Sequence, residues 1–284
     1  MTTYRADATL ACLMNRLGIL YRPHVERAHH LATYVRHIAE AAGLQTWLCS
    51  AWDEAESSHM IAGTDLLVSI GGDGTILHAA RVSAPCSVPV LGLNLGKLGF
   101  ITESEESAVE RTIARVLNGE GWTEERTMLS ARLGGEEFLA LNDAVIRCTA
   151  VRLANITLHL NGQSVTTYRA DGVIVATATG STGYSLAAGG PILMPESTDL
   201  VIQPISSHLG LDRALVVAGQ TEVELALEAR DGIVLSLDGQ VDRPVHSCET
   251  VKVTSSHLKA LFLRLQPRTY FYDSIRKKLG GNPT

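Results

Sequence analysis

The sequence has no block of like charges. Its 284 residues include 24 Lys and Arg and 30 Asp and Glu, and the formal net charge is −6. Nucleic-acid-binding proteins usually carry a basic patch, because the phosphate backbone dominates their affinity. We therefore expect no nucleic-acid partner, whereas a small charged substrate stays compatible with this composition because a local site can differ in sign from the whole chain.

Long apolar runs and a leader pattern are also lacking. No apolar run approaches the roughly 20 residues that a membrane-spanning helix needs, and the first residues lack the basic-then-apolar order of a signal peptide. The five cysteines are odd in number and far apart, without a Cys-x-x-Cys pair: Cys12, Cys49, Cys86, Cys148 and Cys248. We expect reduced, mostly buried thiols in a cytoplasmic protein that has no membrane partner.

Metal-binding patterns are missing as well. Ten histidines are present, but no His-Glu-x-x-His or Cys/His spacing occurs. Four of them, His24, His29, His30 and His37, fall on one predicted helix, where we expect surface or capping positions. The sequence therefore predicts no metal ligands of its own.

The pattern of the chain changes after Gly121. Before this residue, short apolar runs alternate with helical patterns, which predicts a parallel sheet covered by helices on both faces. After it, strands are frequent and turns are short, which favours an antiparallel β structure. We predict an α/β domain over residues 1–122 and a β-rich, mostly antiparallel domain over 123–267, with the tail 268–284 packing back on the first.

Hydrophobic periodicity predicts the individual elements. In the first domain we predict strands at 17–21, 44–48, 64–70 and 88–93 and helices between Pro23 and Gly43, at 75–82 and at 104–117. In the second domain we predict strands that include 156–160, 173–176, 223–227, 233–237, 251–254 and 261–265, a hairpin turn at Asn161-Gly162 and a helical island at 182–188. The tail is expected to form a basic helix at 271–279.

Residues 64–75 hold the most informative pattern. An apolar, β-branched run stops at the glycine-rich sequence from Gly71 to Thr75, and helical spacing follows. The glycines let backbone N–H groups approach a phosphate closely, and the helix N-terminus adds partial positive charge. Asp73 lies where a buried strand ends, the usual place of a ligand in an open α/β sheet. A carboxylate there indicates a base for a hydroxyl group or a ligand for Mg²⁺; the simpler interpretation is a helix cap.

The loop Asn94–Thr102 after the fourth predicted strand is a second candidate. Its glycines let the backbone turn into the crevice beside Asp73, where Lys97 could meet a phosphate and Phe100 could cover a base or a nicotinamide ring. The alternative is an ordinary connection between a strand and a helix with a buried Phe.

Two polar stretches mark the second domain. Asn142 and Asp143 lie inside a predicted alternating strand at 139–147, where successive side chains point to opposite faces, so one of them is expected to face a ligand. An amide beside a carboxylate suits adenine and ribose hydroxyls. The run Thr179–Tyr184 offers small hydroxyls, two glycines and an aromatic ring, which suit a pyrophosphate or a ribose. The alternatives are a polar pair at a strand edge and a Gly/Ser-rich connection.

Together and in this order, these stretches resemble the ATP-dependent NAD kinase family over nearly the whole chain. The matching motifs are Gly-Gly-Asp-Gly-Thr, Leu-Gly-Lys-Leu-Gly-Phe, Asn-Asp, Asp-Gly and Thr-Gly-Ser-Thr-Gly-Tyr. Diacylglycerol and sphingosine kinases and phosphofructokinases look similar at the first loop only. The resemblance implies transfer of the γ-phosphate of ATP to the 2′-hydroxyl of the adenosine ribose of NAD, which gives NADP and ADP.

The resemblance also implies an architecture and partners. It implies an active site between two domains, and a homodimer or homotetramer in which a neighbouring subunit completes one substrate site. Mg²⁺ or another divalent cation is implied as the cofactor, held mainly by the ATP phosphates. NAD and ATP are the implied small-molecule partners, with polyphosphate as an alternative donor.

Roles follow residue by residue from the resemblance. Asp73 is implied to orient or deprotonate the 2′-hydroxyl, and Gly72, Gly74 and Thr75 to cradle phosphate. The implied NAD-binding residues are Phe100 at the pocket wall, Asn142 and Asp143 at the adenosine portion, Asp171 with Arg169 close by on the nicotinamide side, Thr179, Thr182, Tyr184 and Ala187 around adenine and ribose, and Asp238 near the substrate or the phosphate donor.

Three positions depart from the family pattern without removing a functional group. Asp143 stands where Glu is common, Gly183 where Ala is common, and Ala178 where Pro is common. Two other functions stay open on the residues alone. A lipid kinase shares the first loop, and a dinucleotide sensor without catalysis could use the same binding stretches.

Overall fold

The computed structural model describes residues 14–96, 99–149, 153–208, 211–228, 232–246 and 248–279. By its internal contacts the chain divides into two compact units. Unit 1 comprises Met1–Glu125 and Ala260–Thr284, and unit 2 comprises Arg126–Lys259. Among the described residues, no helix has the length and apolar character that a membrane crossing requires.

The structure contains the following elements in chain order. The strands are β1 (Arg16–Tyr21), β2 (Gln45–Ser50), β3 (Leu66–Gly71), β4 (Val90–Asn94), β5 (Ser104–Glu105), β6 (Trp122–Leu133), β7 (Glu136–Ala140), β8 (Asp143–Cys148), β9 (Ala154–Leu160), β10 (Gln163–Ala170), β11 (Gly172–Ala176), β12 (Leu200–Ile205), β13 (Leu215–Val217), β14 (Val223–Glu228), β15 (Ile233–Leu237), β16 (Val241–Val245) and β17 (Thr250–Arg264). The helices are α1 (Glu26–Ala41), α2 (Glu54–Met60), α3 (Asp73–Ser83), α4 (Val109–Leu117), α5 (Tyr184–Ala187) and α6 (Tyr270–Leu279).

Unit 1 is built on a parallel sheet in the order β2-β1-β3-β4, which the end of β17 extends beside β4. Leu91 and Leu93 of β4 share a core with α1 and α4, whereas Gly92 between them lies against Ile76 of α3. Because successive strand residues point to opposite faces, helices cover both faces of the sheet. The predicted α/β fold is confirmed.

Unit 2 contains two antiparallel sheets. One has the order β13-β12-β11-β8-β15-β16, and the other contains β10-β9-β14-β17, with β6 and β7 pairing antiparallel. Ile156 and Tyr168 of the second sheet and Ile146 and Val173 of the first are members of one buried core. The sheets therefore pack face to face as a sandwich, and the predicted β-rich, mostly antiparallel character is confirmed.

Several local predictions need correction. The predicted helix at 104–117 begins only at Val109, because Ser104 pairs with Leu93 as an edge strand and a short 3₁₀ turn follows. The predicted strand 139–147 is interrupted after Ala140, and β8 begins at Asp143. The two segments 251–254 and 261–265 are parts of the single strand β17. Helix α2 was not predicted, because its seven residues are mostly polar.

The expectation of mostly buried thiols is also wrong for the cysteines that the structure describes. Only Cys49 is buried, whereas Cys148 is half-buried and Cys86 and Cys248 are exposed. Small surface residues of this type carry no local pattern that marks their exposure. Cys12 lies outside the described residues.

Candidate active site

The glycine-rich turn of unit 1 joins the end of β3 directly to α3. Gly72 is the N-cap of α3 and Asp73 is its first residue. Gly74 is exposed and Gly72 is half-buried, so they are the accessible members of the predicted phosphate cradle. Thr75 is only 1% exposed and donates its N–H to the carbonyl of Gly72, which stabilises the first turn of the helix.

The carboxyl group of Asp73 is enclosed by the loop that follows β4. Oδ2 accepts a hydrogen bond from the N–H of Phe100 at 3.4 Å. A Cβ atom at Gly99 would overlap Oδ1, so glycine is needed for this close approach. Oδ1 itself is buried and has no hydrogen-bond partner among the described residues, so one acceptor oxygen of the acid is not used by them.

Burial raises the pKa of the Asp73 carboxyl above its ordinary value. Lys278, the N–H groups of Phe100 and Ile101, and Arg264 oppose this rise because each favours the charged carboxylate. A raised pKa together with a spare acceptor oxygen is the property expected of a group that receives a proton.

Buried charges hold the loop 99–103 in place. Arg264 donates from Nη1 to the carbonyl oxygen of Ile101 at 2.8 Å and from Nε to Oε2 of Glu124 at 2.6 Å. Glu103 accepts the N–H groups of Leu265 and Gln266 on Oε1 at 2.8 and 2.7 Å. The C-terminal end of β17 therefore fixes the loop that encloses Asp73.

Phe100 is half-buried beside the acid, and the C-terminal helix covers it. Its ring lies 6.3 Å from the ring of Phe271, centroid to centroid, and the Nζ atom of Lys278 lies 4.1 Å from its centroid. Lys97, predicted to meet a phosphate, lies outside the described residues. Arg264, Glu103 and Lys278 were not singled out from the sequence, because no local spacing connects residues so far apart in the chain.

In unit 2, Asp238 organises the polar pair at the start of β8. It occupies the turn between β15 and β16 with φ of 54°, and its carboxylate accepts three backbone N–H groups. These belong to Leu141 at 3.0 Å, Asn142 at 2.7 Å and Asp143 at 3.2 Å. Through these three hydrogen bonds Asp238 fixes the backbone of the Asn142–Asp143 pair.

Asp143 is 5% exposed and lies beside this second acid. Burial, and then the negative charge of Asp238, raise the pKa of Asp143 to about 7. Asp143 can therefore be protonated near neutral pH, and as a neutral acid it can donate a hydrogen bond as well as accept one.

The loop after β11 is bonded to the same pair. Thr177 donates its hydroxyl to the carbonyl of Leu141 at 2.6 Å and its N–H to the carbonyl of Asn142 at 2.9 Å. A Cβ atom at Gly180 would overlap the carbonyl of Asn142, so the loop comes this close only with glycine. The hydroxyl oxygen of Thr179 accepts a hydrogen bond from Nη1 of Arg126 at 3.3 Å. The hydroxyl of Thr182 donates to the carbonyl oxygen of Thr179 at 3.0 Å.

The start of β8, the turn between β15 and β16 and the first residue of α5 border a cavity of about 390 Å³ in unit 2. Of the predicted site residues, Asn142, Asp143, Tyr184 and Asp238 line it together. The other lining residues are Val145, Arg147, Ser236, Gly239 and Asp242. Asp143 and Arg147 share one face of β8, so the cavity extends along the strand.

Five predicted site residues of unit 2 are not among those lining this cavity: Arg169, Asp171, Thr179, Thr182 and Ala187. Ala187 lies exposed at the end of α5, and Arg169 and Asp171 are exposed around the start of β11. Gly172 pairs with Arg147 and Ala176 pairs with Asp143. Asp171 comes one residue before Gly172, so five residue steps at roughly 3.3 Å each separate it from the Asn-Asp end of the cavity, about 16 Å along the strand direction.

Among the residues described, no group of three or more His, Cys, Asp or Glu side chains is placed to hold a metal ion.

A carboxylate in a glycine-rich turn at the end of a parallel strand, together with a nucleoside-sized polar cavity in a second unit, defines a nucleotide-dependent phosphotransferase. Family models agree with this class: residues 10–121 match the ATP-NAD kinase N-terminal domain, and residues 141–265 match the ATP-NAD kinase C-terminal domain. The chain belongs to the ATP-NAD kinase family.

Individual relatives cover nearly the whole chain. An NAD kinase of Dehalococcoides mccartyi is 39% identical over 278 residues, which is 95% of this chain and 98% of that protein. An NAD kinase of Chloroflexus aurantiacus is 36% identical over 273 residues, 94% of this chain and 99% of that protein.

Two solved structures share the fold. An NAD kinase from Archaeoglobus fulgidus in complex with ATP has a TM-score of 0.73 and 25% identity, covering 92% of this chain and 98% of that chain. Yeast NADH kinase in complex with NADH has a TM-score of 0.80 and 23% identity, covering 95% of this chain and 89% of that chain.

Proposed function

We propose that this chain transfers the γ-phosphate of ATP to the 2′-hydroxyl of the adenosine ribose of NAD. The observation that carries the proposal is Asp73, a half-buried acid at the glycine-rich end of β3 whose buried Oδ1 accepts no hydrogen bond from the described residues. Full-length similarity to NAD kinases supports it.

Asp73 acts as the general base in this proposal. The 2′-oxygen forms a bond to the γ-phosphorus while the bond from that phosphorus to the oxygen bridging it to the β-phosphorus breaks. The proton of the 2′-hydroxyl passes to the carboxylate of Asp73, and ADP leaves. Direct transfer needs positioning and charge neutralisation rather than a covalent intermediate, and the phosphate chain is expected at the N–H groups of Gly72 and Gly74.

The residues of the unit 2 cavity bind the dinucleotide. Asn142 and Asp143 supply an amide and an acid for hydroxyl groups and ring nitrogens, and Tyr184 supplies an exposed ring that can stack on a base. Asp238 contributes by fixing the backbone of this pair, and Thr179 and Thr182 shape the adjoining loop.

Mg²⁺ or another divalent cation is proposed as the cofactor. It supplies charge neutralisation on the triphosphate when ATP is bound. The chain contributes few ligands of its own, in keeping with the absence of a cluster of metal-ligating side chains among the described residues.

We further propose a homodimer or homotetramer in a cytoplasmic setting. The exposed Arg169 and Asp171 suit contact with a dinucleotide bound by a neighbouring subunit, because Asp171 lies about 16 Å along the strand direction from the Asn-Asp pair. Cys49, Cys86 and Cys148 are free thiols, which is typical of a reducing compartment.

The test is a product assay with purified protein, Mg²⁺, either ATP or polyphosphate, and either NAD or NADH. We expect 2′-phosphorylated dinucleotide from ATP and NAD, measured with an NADP-specific dehydrogenase. Phosphorylation of diacylglycerol without any of NAD would instead establish a lipid kinase, and tight NAD binding without product would establish a sensor.

A further inference from the structure

The C-terminal helix α6 brings a positive charge to the loop that encloses Asp73. Phe271 and Lys278 are seven residues apart, which places them on one face of the helix two turns apart. Both contact Phe100: the Phe271 ring lies 6.3 Å from its centroid and the Lys278 Nζ atom lies 4.1 Å from it. The helix is thus held against Phe100 at both ends of this face.

Phe100 also contacts the acid directly, since its N–H is donated to Oδ2 of Asp73. The ammonium group of Lys278 and the carboxylate of Asp73 therefore both contact Phe100, the first at its ring and the second at its backbone N–H, and the two opposite charges attract each other. The other cation that acts on Asp73 is Arg264 of β17, which is already engaged by Glu124 and the carbonyl of Ile101.

The neighbours of Lys278 on the helix point elsewhere. Arg276 pairs with Asp273 on the same helix at 3.0 Å. Lys277 lines a separate cavity of unit 1 together with Arg111 and Arg115. Of these three consecutive basic residues, Lys278 is the one that lies over the Phe100 ring and attracts the charge of Asp73, so its position is distinct from the general basic character of the tail.

We propose that Lys278 is a positioning residue for phosphoryl transfer, whose ammonium group keeps the carboxylate of Asp73 charged and turned toward the acceptor hydroxyl. This inference rests on the proposed function, because it concerns Asp73 as the base. Burial raises the pKa of Asp73 and lowers the pKa of Lys278, and the attraction between the two groups opposes both shifts.

The consequence is a pH dependence with a defined sign. Turnover requires charged Asp73, so kcat rises as the pH passes upward through the pKa of that group. Without the ammonium group, charged Asp73 is less favoured and the rise moves to higher pH. An opposite charge at close range typically shifts a carboxyl pKa by about one unit or more, and we expect a displacement of about that size.

The experiment compares Lys278→Met, Lys278→Arg and the matched control Lys277→Met. For each, kcat and the KM values for NAD and ATP are measured across the acidic limb of the pH profile. We expect Lys278→Met to move the limb upward by about one pH unit and to lower kcat roughly tenfold on that limb, with little change in KM for NAD. Lys278→Arg should restore the wild-type limb, and Lys277→Met should retain it.

Three kinds of result would contradict the inference that Lys278 acts on Asp73. An unshifted limb in Lys278→Met, or an equal shift in Lys277→Met, would show that the charge at 278 does not act on Asp73. A lowered melting temperature in Lys278→Met with no rescue by Lys278→Arg would show a packing role only. Wild-type protein that forms no NADP would refute the proposed function itself, which separates the two failures.

Discussion

At the scale of single residues, two acids differ in what surrounds them. Asp73 has a cation on the neighbouring helix and one oxygen without a hydrogen bond from the described residues. Asp143 is enclosed beside another acid, Asp238, whose carboxylate is occupied by backbone N–H groups. The first environment suits proton transfer, and the second suits a neutral acid that donates a hydrogen bond.

Replacing Asp73 by Asn should abolish most turnover while sparing NAD affinity. The amide keeps the size of the side chain but cannot accept the proton, and general-base catalysis typically contributes about 10²- to 10⁴-fold. Steady-state kcat and the Kd for NAD measure the two effects. Asp53→Asn, which changes a helix-capping acid of the same unit, should leave both unchanged, and full kcat in Asp73→Asn would reject the base.

Replacing Asp143 by Asn should stabilise the protein at alkaline pH. The pKa of Asp143 is raised to about 7 in the folded state from an ordinary 3.8, so the folded state holds a proton that the unfolded state releases. Its stability therefore falls as the pH rises from about 4 to 7, and Asn removes this loss.

Melting temperatures measured against pH test this expectation. Asp143→Asn should melt a few degrees above wild type at about pH 8, and the difference should vanish below about pH 4. Asp212→Asn, at an exposed position of the same unit, serves as the control. A lower melting temperature than wild type at alkaline pH would contradict the argument.

At the scale of elements, the site is made of short connections that join rigid strands. The loop after β4 comes close to Asp73, and the loop between β11 and α5 comes close to the Asn142 backbone, because a glycine stands at each contact, Gly99 in the first and Gly180 in the second. The strands and helices determine where each loop begins and ends, and the glycines allow the loop backbone to come close to its neighbour.

The substitution Gly180→Ala tests whether glycine is needed where the loop after β11 contacts Asn142. A methyl group there would overlap the carbonyl of Asn142, which must shift together with the polar pair. We expect a destabilisation of about 1–3 kcal/mol and a raised KM for NAD. Gly183→Ala is the control in the same loop, because its φ of −100° is negative and the nearest atom lies 3.3 Å from the added Cβ, against 2.0 Å at Gly180. Equal effects of the two changes would exclude this explanation.

At the scale of the whole chain, segments far apart in sequence meet inside unit 1. Arg264, near the C-terminus and only 7% exposed, contacts Glu124, Glu103 and the carbonyl of Ile101. The end of β17 is thereby part of the interior of unit 1.

Arg264→Leu should be strongly destabilising. It leaves Glu124 and Glu103 buried without their cation, a change that typically costs about 3–5 kcal/mol. Urea unfolding measures the loss. Arg213→Leu, which removes an exposed ion pair, should change stability by less than about 1 kcal/mol. A loss of that small size at Arg264 would mean that the buried acids find other partners.

The sequence by itself determined the class of each half, the glycine-rich turn with its acid, and the polar runs of the second half, because these depend on local periodicity and on residue types within a few positions. Only the tertiary structure decided that Asp238 fixes the Asn142 backbone, that Arg264 and Glu103 hold the loop beside Asp73, and that Lys278 lies over Phe100. These contacts join residues about 100 to 200 positions apart, and their energy comes from burial and charge pairing that no local pattern encodes.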